Sequence, residues 1–232
     1  MTTVTILSGG AAQGLVRGLT EPFKAQTGCG IDGEFGAVGI MADKLRAGTP
    51  ADLVILTRAL LAKLAEEKLV ILSSIADVGR VETALAVRSR DAKVTVKTDA
   101  DLRDVLRSAD AIYIPDTKAS TAGQHVAKVL DQLGIAYEVA SRLKIFPNGA
   151  TAMRELAAST AQRPIGCTQA TEIIAADGIA LSGSLPPGCE LVTMYTAGVT
   201  ARAAHPKEAA ALVALLTGAD RKELRQRVGF AG

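Results

Sequence analysis

Residues 109–134 read ADAIYIPDTKASTAGQHVAKVLDQLG. The first six are a short apolar run of strand character, and the end is an amphipathic helix. Between them lie a carboxylate (Asp116), an ammonium (Lys118) and the hydroxyls of Thr117, Ser120 and Thr121. Thr121 to Gln124 reads T-x-x-Q, which predicts a capping box with Thr121 as cap and Ala122 and Gly123 at the first helical positions. The polar cluster therefore lies at the carboxyl end of a strand, where open α/β sheets place their ligands.

Working outward, a strand, a polar turn and a helix recur. Thr3 to Leu7 leads through SGGAAQ into a helix with Leu15, Leu19 and Phe23 on one face. Ile31 to Phe35 leads through GAVG into a helix ending near Leu45, and Asp52 to Leu56 leads into Leu60 to Leu69. Three such crossovers imply a parallel sheet covered on both faces. A strand at Glu82 to Val87 and a helix near Asp101 to Leu106 precede the opening stretch. After it come Ile145 with PNGATAMREL, and Pro164 to Cys167 with TQATEII. The turn GSLPPG, a strand at Glu190 to Val199 and helices near Pro206 to Leu216 and Arg221 to Val228 close the chain. Five turns share a helix start made of small or hydroxyl residues directly after a strand, including Asn148, a good N-cap, before Gly149 and Ala150. Such a start offers unpaired N–H groups and the positive end of a dipole, so several on one sheet edge form an anion site.

Composition excludes other classes. The 232 residues are 48% hydrophobic and 22% charged, which suits a folded, well-buried core and not a disordered chain. Twenty-six basic against 24 acidic residues give a net charge of +2 without a basic run, so no nucleic-acid footprint is present. With 3% aromatics and no Trp, stacking on bases or sugars is not the main device. No stretch approaches the roughly 18 apolar residues of a membrane span. Met1 runs straight into TVTIL without a leader, so the chain as written is expected in the cytoplasm, or in the periplasm if an export segment has been removed. Cys29, Cys167 and Cys189 show no C-x-x-C spacing, and His125 and His205 have no ligand partner at i+4. No metal and no cofactor are expected.

Four stretches carry a resemblance: KLRAGTPADLVIL at 44–56, the turn and helix at 115–134, PIGCTQATEI at 164–173, and AAALVALLTGADRKELRQRVGF at 209–230. Nearly the whole chain resembles the periplasmic molybdate-binding family of type II solute-binding proteins. The resemblance implies an α/β fold of two lobes, each a mostly parallel sheet flanked by helices, joined by two crossover segments near Gly79 to Glu82 and Tyr195 to Gly198. Lobe I would comprise residues 1–79 and 199–232, and lobe II residues 80–198, with an oxyanion held by amides and hydroxyls in a cleft between them. It also implies a monomer that carries a small anionic ligand to an ABC permease.

The departures from that pattern concern the ligand. Ala11 stands where molybdate binders carry a Ser on the first loop, Ala37, Val38 and Gly39 stand at the second Ser, and Gln169 replaces the tyrosine before the ATE helix. Loss of three donors to a buried dianion, at about 1.5–3 kcal/mol each, argues against molybdate. Ser8 partly compensates in this reading, and Gly9, Gly10 and Gly36 are expected to open space for an organic carboxylate. The expected ligand set is Ser8, Gly9, Gly10, Ala11, Ala37, Val38 and Arg58 on lobe I, with Lys118, Thr121, Ala122, Asn148, Gly149, Ala150 and Gln169 on lobe II. The alternative is a cofactor-free isomerase of a small unsaturated carboxylate such as aconitate, with Lys118, Asp116 or Glu34 as the base. Cys167 reads as a buried small hydrophobe before it reads as a thiolate nucleophile. An effector domain of a transcription regulator would need a helix-turn-helix ahead of the first strand, and none precedes it here.

Overall fold

Leu15, Leu19 and Phe23 recur every four residues, so a helix places them on one stripe. In the computed structural model, which describes residues 2–231, all three are fully buried. Their helix, α1 (Gln13–Thr27), stops at Gly28, whose left-handed backbone (φ 71°) turns its N–H onto the Lys24 carbonyl. At about 1.5–3 kcal/mol for each large apolar side chain buried, the stripe fastens α1 against its neighbours.

The chain forms two compact units, one of residues up to Val81 with those from Thr193 onward, the other Glu82–Val192. The first is built on β1 (Thr3–Gly9), β2 (Gly30–Gly36) and β3 (Leu53–Thr57), with α2 (Val38–Arg46) and α3 (Arg58–Glu66) in the connections. Strand β1 pairs in parallel with both neighbours, Ile6 lying opposite Gly33 on one side and Leu53 on the other. All five residues of β3 are buried, as expected of a central strand covered on both faces. Ahead of β3, Asp52 accepts N–H bonds of 2.8 Å from Thr5 and from His205. Burial acts to raise its pKa, and the donors at Thr5 and His205 more than offset it, holding the carboxyl below its ordinary range.

The second unit holds β5 (Ala111–Pro115), β6 (Leu143–Phe146) and β7 (Pro164–Gln169), parallel in the order β6-β5-β7. Strand β4 (Ala76–Arg88) is antiparallel to β7, and β8 (Ile179–Ser184) is antiparallel to β4. Helices α4 (Asp99–Ser108), α5 (Thr121–Gln132), α6 (Ala136–Val139), α7 (Gly149–Ala157) and α8 (Ala170–Ile174) complete it. A capping box of Thr98 and Asp101 opens α4, and Leu102, Leu106, Ile112, Ile114, Val126 and Val129 share one core.

The chain leaves the first unit within β4, after Val81, and returns at Thr193 within β9 (Val192–Val199). Tyr195–Gly198 pair antiparallel with β3 and thus lie inside the first unit. Helices α9 (Pro206–Thr217) and α10 (Lys222–Arg227) follow, and α9 packs on α1. Strand β8 has no counterpart in the sequence reading. Its residues IALSGS are mostly half-buried and follow neither an apolar run nor strict alternation.

Candidate functional site

In the first unit, the parallel strands end at Gly9, Gly36 and Thr57, and each runs at once into a helical turn. Ala37 is the extended N-cap of α2 and gives no side-chain cap, so the first amides of α2 keep no acceptor inside the helix. Gly10, Ala11 and Ala12 form a buried single turn ahead of α1, also without a side-chain cap. Ser8 is buried, and its hydroxyl donates to the Gly9 carbonyl at 2.9 Å. That proton is therefore engaged, and Ser8 does not replace a lost anion donor.

The glycines do not open space either. A Cβ on Gly9 would lie 2.7 Å from Val38 Cγ1 and 3.0 Å from Tyr195 Cε1, and one on Gly36 would lie 2.8 Å from Met41 Cε. Both positions are small because neighbouring side chains already press on the backbone. Arg58 stands at the first position of α3, where the Thr57 hydroxyl accepts the Leu60 N–H. Its guanidinium is ion-paired with Asp77, Nε to Oδ1 at 3.1 Å, and the Thr196 hydroxyl donates to the same oxygen at 3.0 Å. A ligand carboxylate would compete with Asp77 for this cation.

In the second unit the opening stretch folds as read, with one correction. The N-cap of α5 is Ser120, whose Oγ accepts the Gly123 N–H, and Thr121 is the first helical residue. Gly123 fixes the register: a Cβ there would sit 2.2 Å from the Asp116 carbonyl oxygen and 2.5 Å from that of Pro115. The turn thus lies against the helix backbone, leaving the Thr121 and Ala122 amides without an intrahelical acceptor. Asp116 accepts the N–H groups of Lys118 and Ala119, each at 2.7 Å. The Ala119 and Lys118 amides hold its carboxyl below the usual range, which makes it a turn-former and a poor base. Lys118 is exposed; its charge helps to hold Asp116 low, but among the described residues it makes no ion pair.

The start of α7 is occupied. Asn148 accepts the Thr151 N–H at 2.8 Å, as its cap role requires. The Gly149 and Ala150 amides, expected to face a ligand, donate instead to Glu172 of α8. Glu172 also accepts the Gln169 N–H, as the fourth residue of a capping box does, and the Thr168 hydroxyl at 2.6 Å. One carboxyl thereby caps both α7 and α8, and Gly149 has no room for a side chain, since a Cβ would lie 1.9 Å from Glu172 Oε2. Burial pushes the Glu172 pKa up to about 7 against those donors. The sequence reading missed this residue, although Gln169-x-x-Glu172 carries the spacing that marks it.

Gln169 itself is 3% exposed, and neither its amide nitrogen nor its carbonyl oxygen has a hydrogen-bond partner. Thr83 and Thr171 hold buried hydroxyls in the same condition. Each such group costs about 1–3 kcal/mol if left unsatisfied, and no protein group here offsets that cost. Of the remaining candidates, Glu34 is half-exposed and ion-paired with Lys44. Cys167 is buried in the core, and burial pushes its thiol up to about 12, so it is a packing residue and no thiolate. No cluster of potential metal ligands occurs among the described residues.

Two α/β units, entered and left through β4 and β9 and turning strand exits into helix starts, define the architecture of bacterial binding proteins. A family model described as bacterial extracellular solute-binding protein matches residues 4–231, and the chain belongs to that family. A curated relative, aconitate isomerase of a Pseudomonas species, is 26% identical over 231 residues, covering 95% of this chain and 84% of the relative. The Azotobacter vinelandii periplasmic molybdate-binding protein has the same fold, with a TM-score of 0.83, 17% identity and 99% of each chain covered. The sulfate-binding protein SubI of Mycobacterium tuberculosis H37Rv matches with a TM-score of 0.76 and 19% identity, over 99% of this chain and 86% of its own. No helix among the described residues is long and apolar enough to cross a membrane.

Proposed function

We propose that the protein is the solute-binding component of an ABC transporter for a small organic carboxylate, acting as a monomer in the periplasm. The observation that carries this reading is the α5 turn, where the Thr121 and Ala122 amides lack an intrahelical acceptor at a strand exit and Lys118, three residues ahead of Thr121, is exposed. Ala11, Ala37 and Val38 offer no hydroxyl to complete a tetrahedral cage, which disfavours the oxyanions named for the molybdate- and sulfate-binding neighbours. Within the first unit, the Gly10–Ala12 turn and the start of α2 offer uncapped helix starts of the same kind. A thermal-shift panel of molybdate, sulfate and di- and tricarboxylates tests the reading. A ligand at a hundred times its Kd adds about 2.7 kcal/mol of stability, about 5–10 °C for a chain of this size. Shifts by the inorganic anions alone would overturn it.

A second reading, a cofactor-free isomerase of an unsaturated carboxylate, is favoured by the relative named aconitate isomerase. Proton abstraction and return need a group whose proton affinity lies near neutrality. Asp116 is held too low for that role, and Lys118 is the exposed candidate. Glu172, with a pKa near 7, has the proton affinity but is enclosed by its donors. Proton NMR of cis- and trans-aconitate with the protein in heavy water decides between them: interconversion with deuterium uptake means isomerase, and unchanged spectra with binding mean carrier.

A further inference from the structure

Gln169 ends β7 directly opposite Thr83 of β4 in antiparallel register, so the two side chains share one face of the sheet. Thr83 is 1% exposed and Gln169 3%, and all three of their polar side-chain atoms lack partners. The backbone N–H of Gln169 is already engaged by Glu172, so what remains to be satisfied is the amide group itself. An amide presents a donor and an acceptor side by side. A fully ionised tetrahedral oxyanion or a simple dicarboxylate offers only acceptors. It can take the Gln169 N–H but sets its own negative oxygen against the Gln169 carbonyl. A hydroxyl on the carbon next to a carboxylate meets both ends: its O–H donates to Gln169 Oε1, and the carboxylate accepts from Nε2. The Thr83 hydroxyl, free to rotate, donates to a second oxygen of the same ligand.

We propose that Gln169, with Thr83, selects an α-hydroxycarboxylate over the matching carboxylate without the hydroxyl. This rests on the carboxylate-binding reading above. A site built to bond a hydroxyl rejects the analogue lacking it far more strongly than an apolar pocket rejects a missing methylene. Calorimetry with two matched pairs, malate against succinate and citrate against tricarballylate, tests it on the full-length protein. In at least one pair the hydroxylated member is expected to bind at least tenfold tighter. In Gln169→Leu the ratio should fall towards one through loss of the hydroxylated member's affinity, and Thr83→Val should weaken both members of that pair. Equal affinities in the wild type, or a ratio that survives Gln169→Leu, overturn the proposal while leaving the carboxylate reading intact. Binding of none of the four overturns both. If Gln169→Leu does not fold, the wild-type ratios and Thr83→Val still decide.

Discussion

Replacing Glu172 by Gln removes a carboxyl that is buried at two helix starts, and the consequence is a change in how stability depends on pH. In the folded protein this carboxyl titrates near 7, against 4.5 for the ordinary group. Between those values the folded state keeps a proton that the unfolded state has lost, so stability falls as pH rises through the window and is level above it. The gap of 2.5 pH units (7 less 4.5) corresponds to about 3 kcal/mol at about 1.36 kcal/mol per unit. Gln cannot ionise, and the misfit of its NH2 against the Gly149 and Ala150 amides is a penalty independent of pH. Calorimetric melting of wild type and Glu172→Gln from pH 4.5 to 8 isolates the group, because all other titrations are common to both. The wild type should lose about 3 kcal/mol relative to the variant, about 6–12 °C in Tm for a chain of this length. Parallel curves would refute an elevated pKa. A wild type that gains on the variant with rising pH would mean that the four donors outweigh burial.

Lys118→Met should weaken carboxylate binding at least tenfold in calorimetry, since a charge-assisted bond contributes about 1.5–3 kcal/mol. Arg58→Met should do the same while changing stability by less than about 1 kcal/mol, its pair with Asp77 being exposed. Arg225→Met, which breaks bonds to the Leu216 and Gly218 carbonyls, should leave affinity unchanged. Molybdate should bind weakly or not at all; submicromolar affinity would mean that backbone amides suffice without hydroxyls. Gly123→Ala should cost about 1–3 kcal/mol or more in denaturant unfolding, because its Cβ meets backbone carbonyls that cannot rotate away.

The succession of strand and helix is legible in the sequence because each transition falls on residues with a local reason to turn: Gly9 and Gly10, Gly36, Pro115, Asn148. The position of a cap is less secure. Both Ser120 and Thr121 could serve α5, and the choice is made by Gly123, whose contact with the Pro115 and Asp116 carbonyls no local pattern announces. Charge partners lie further out of reach. Arg58 looks free at a strand exit until β4 brings Asp77 beside it, and the start of α7 looks open until α8 brings Glu172. Small residues are ambiguous in the same way, since the sequence at Gly9 and Gly36 is equally consistent with an opening and with a close approach by Val38, Tyr195 or Met41.

The division of the chain also orders its assembly. Residues Glu82–Val192 are contiguous and contain every partner of their own core, so that unit can close as soon as it has been synthesised. The first unit begins earlier and finishes later. Strand β3 waits for β9, Asp52 waits for the His205 amide, and Arg80 waits for Ala231, which exchanges both backbone bonds with it. Until β9 arrives, the run Leu53–Leu56 has an unpaired edge, the kind of surface on which nascent chains aggregate. A protein that stopped short of β9 would therefore leave unfinished the half of the molecule that is made first.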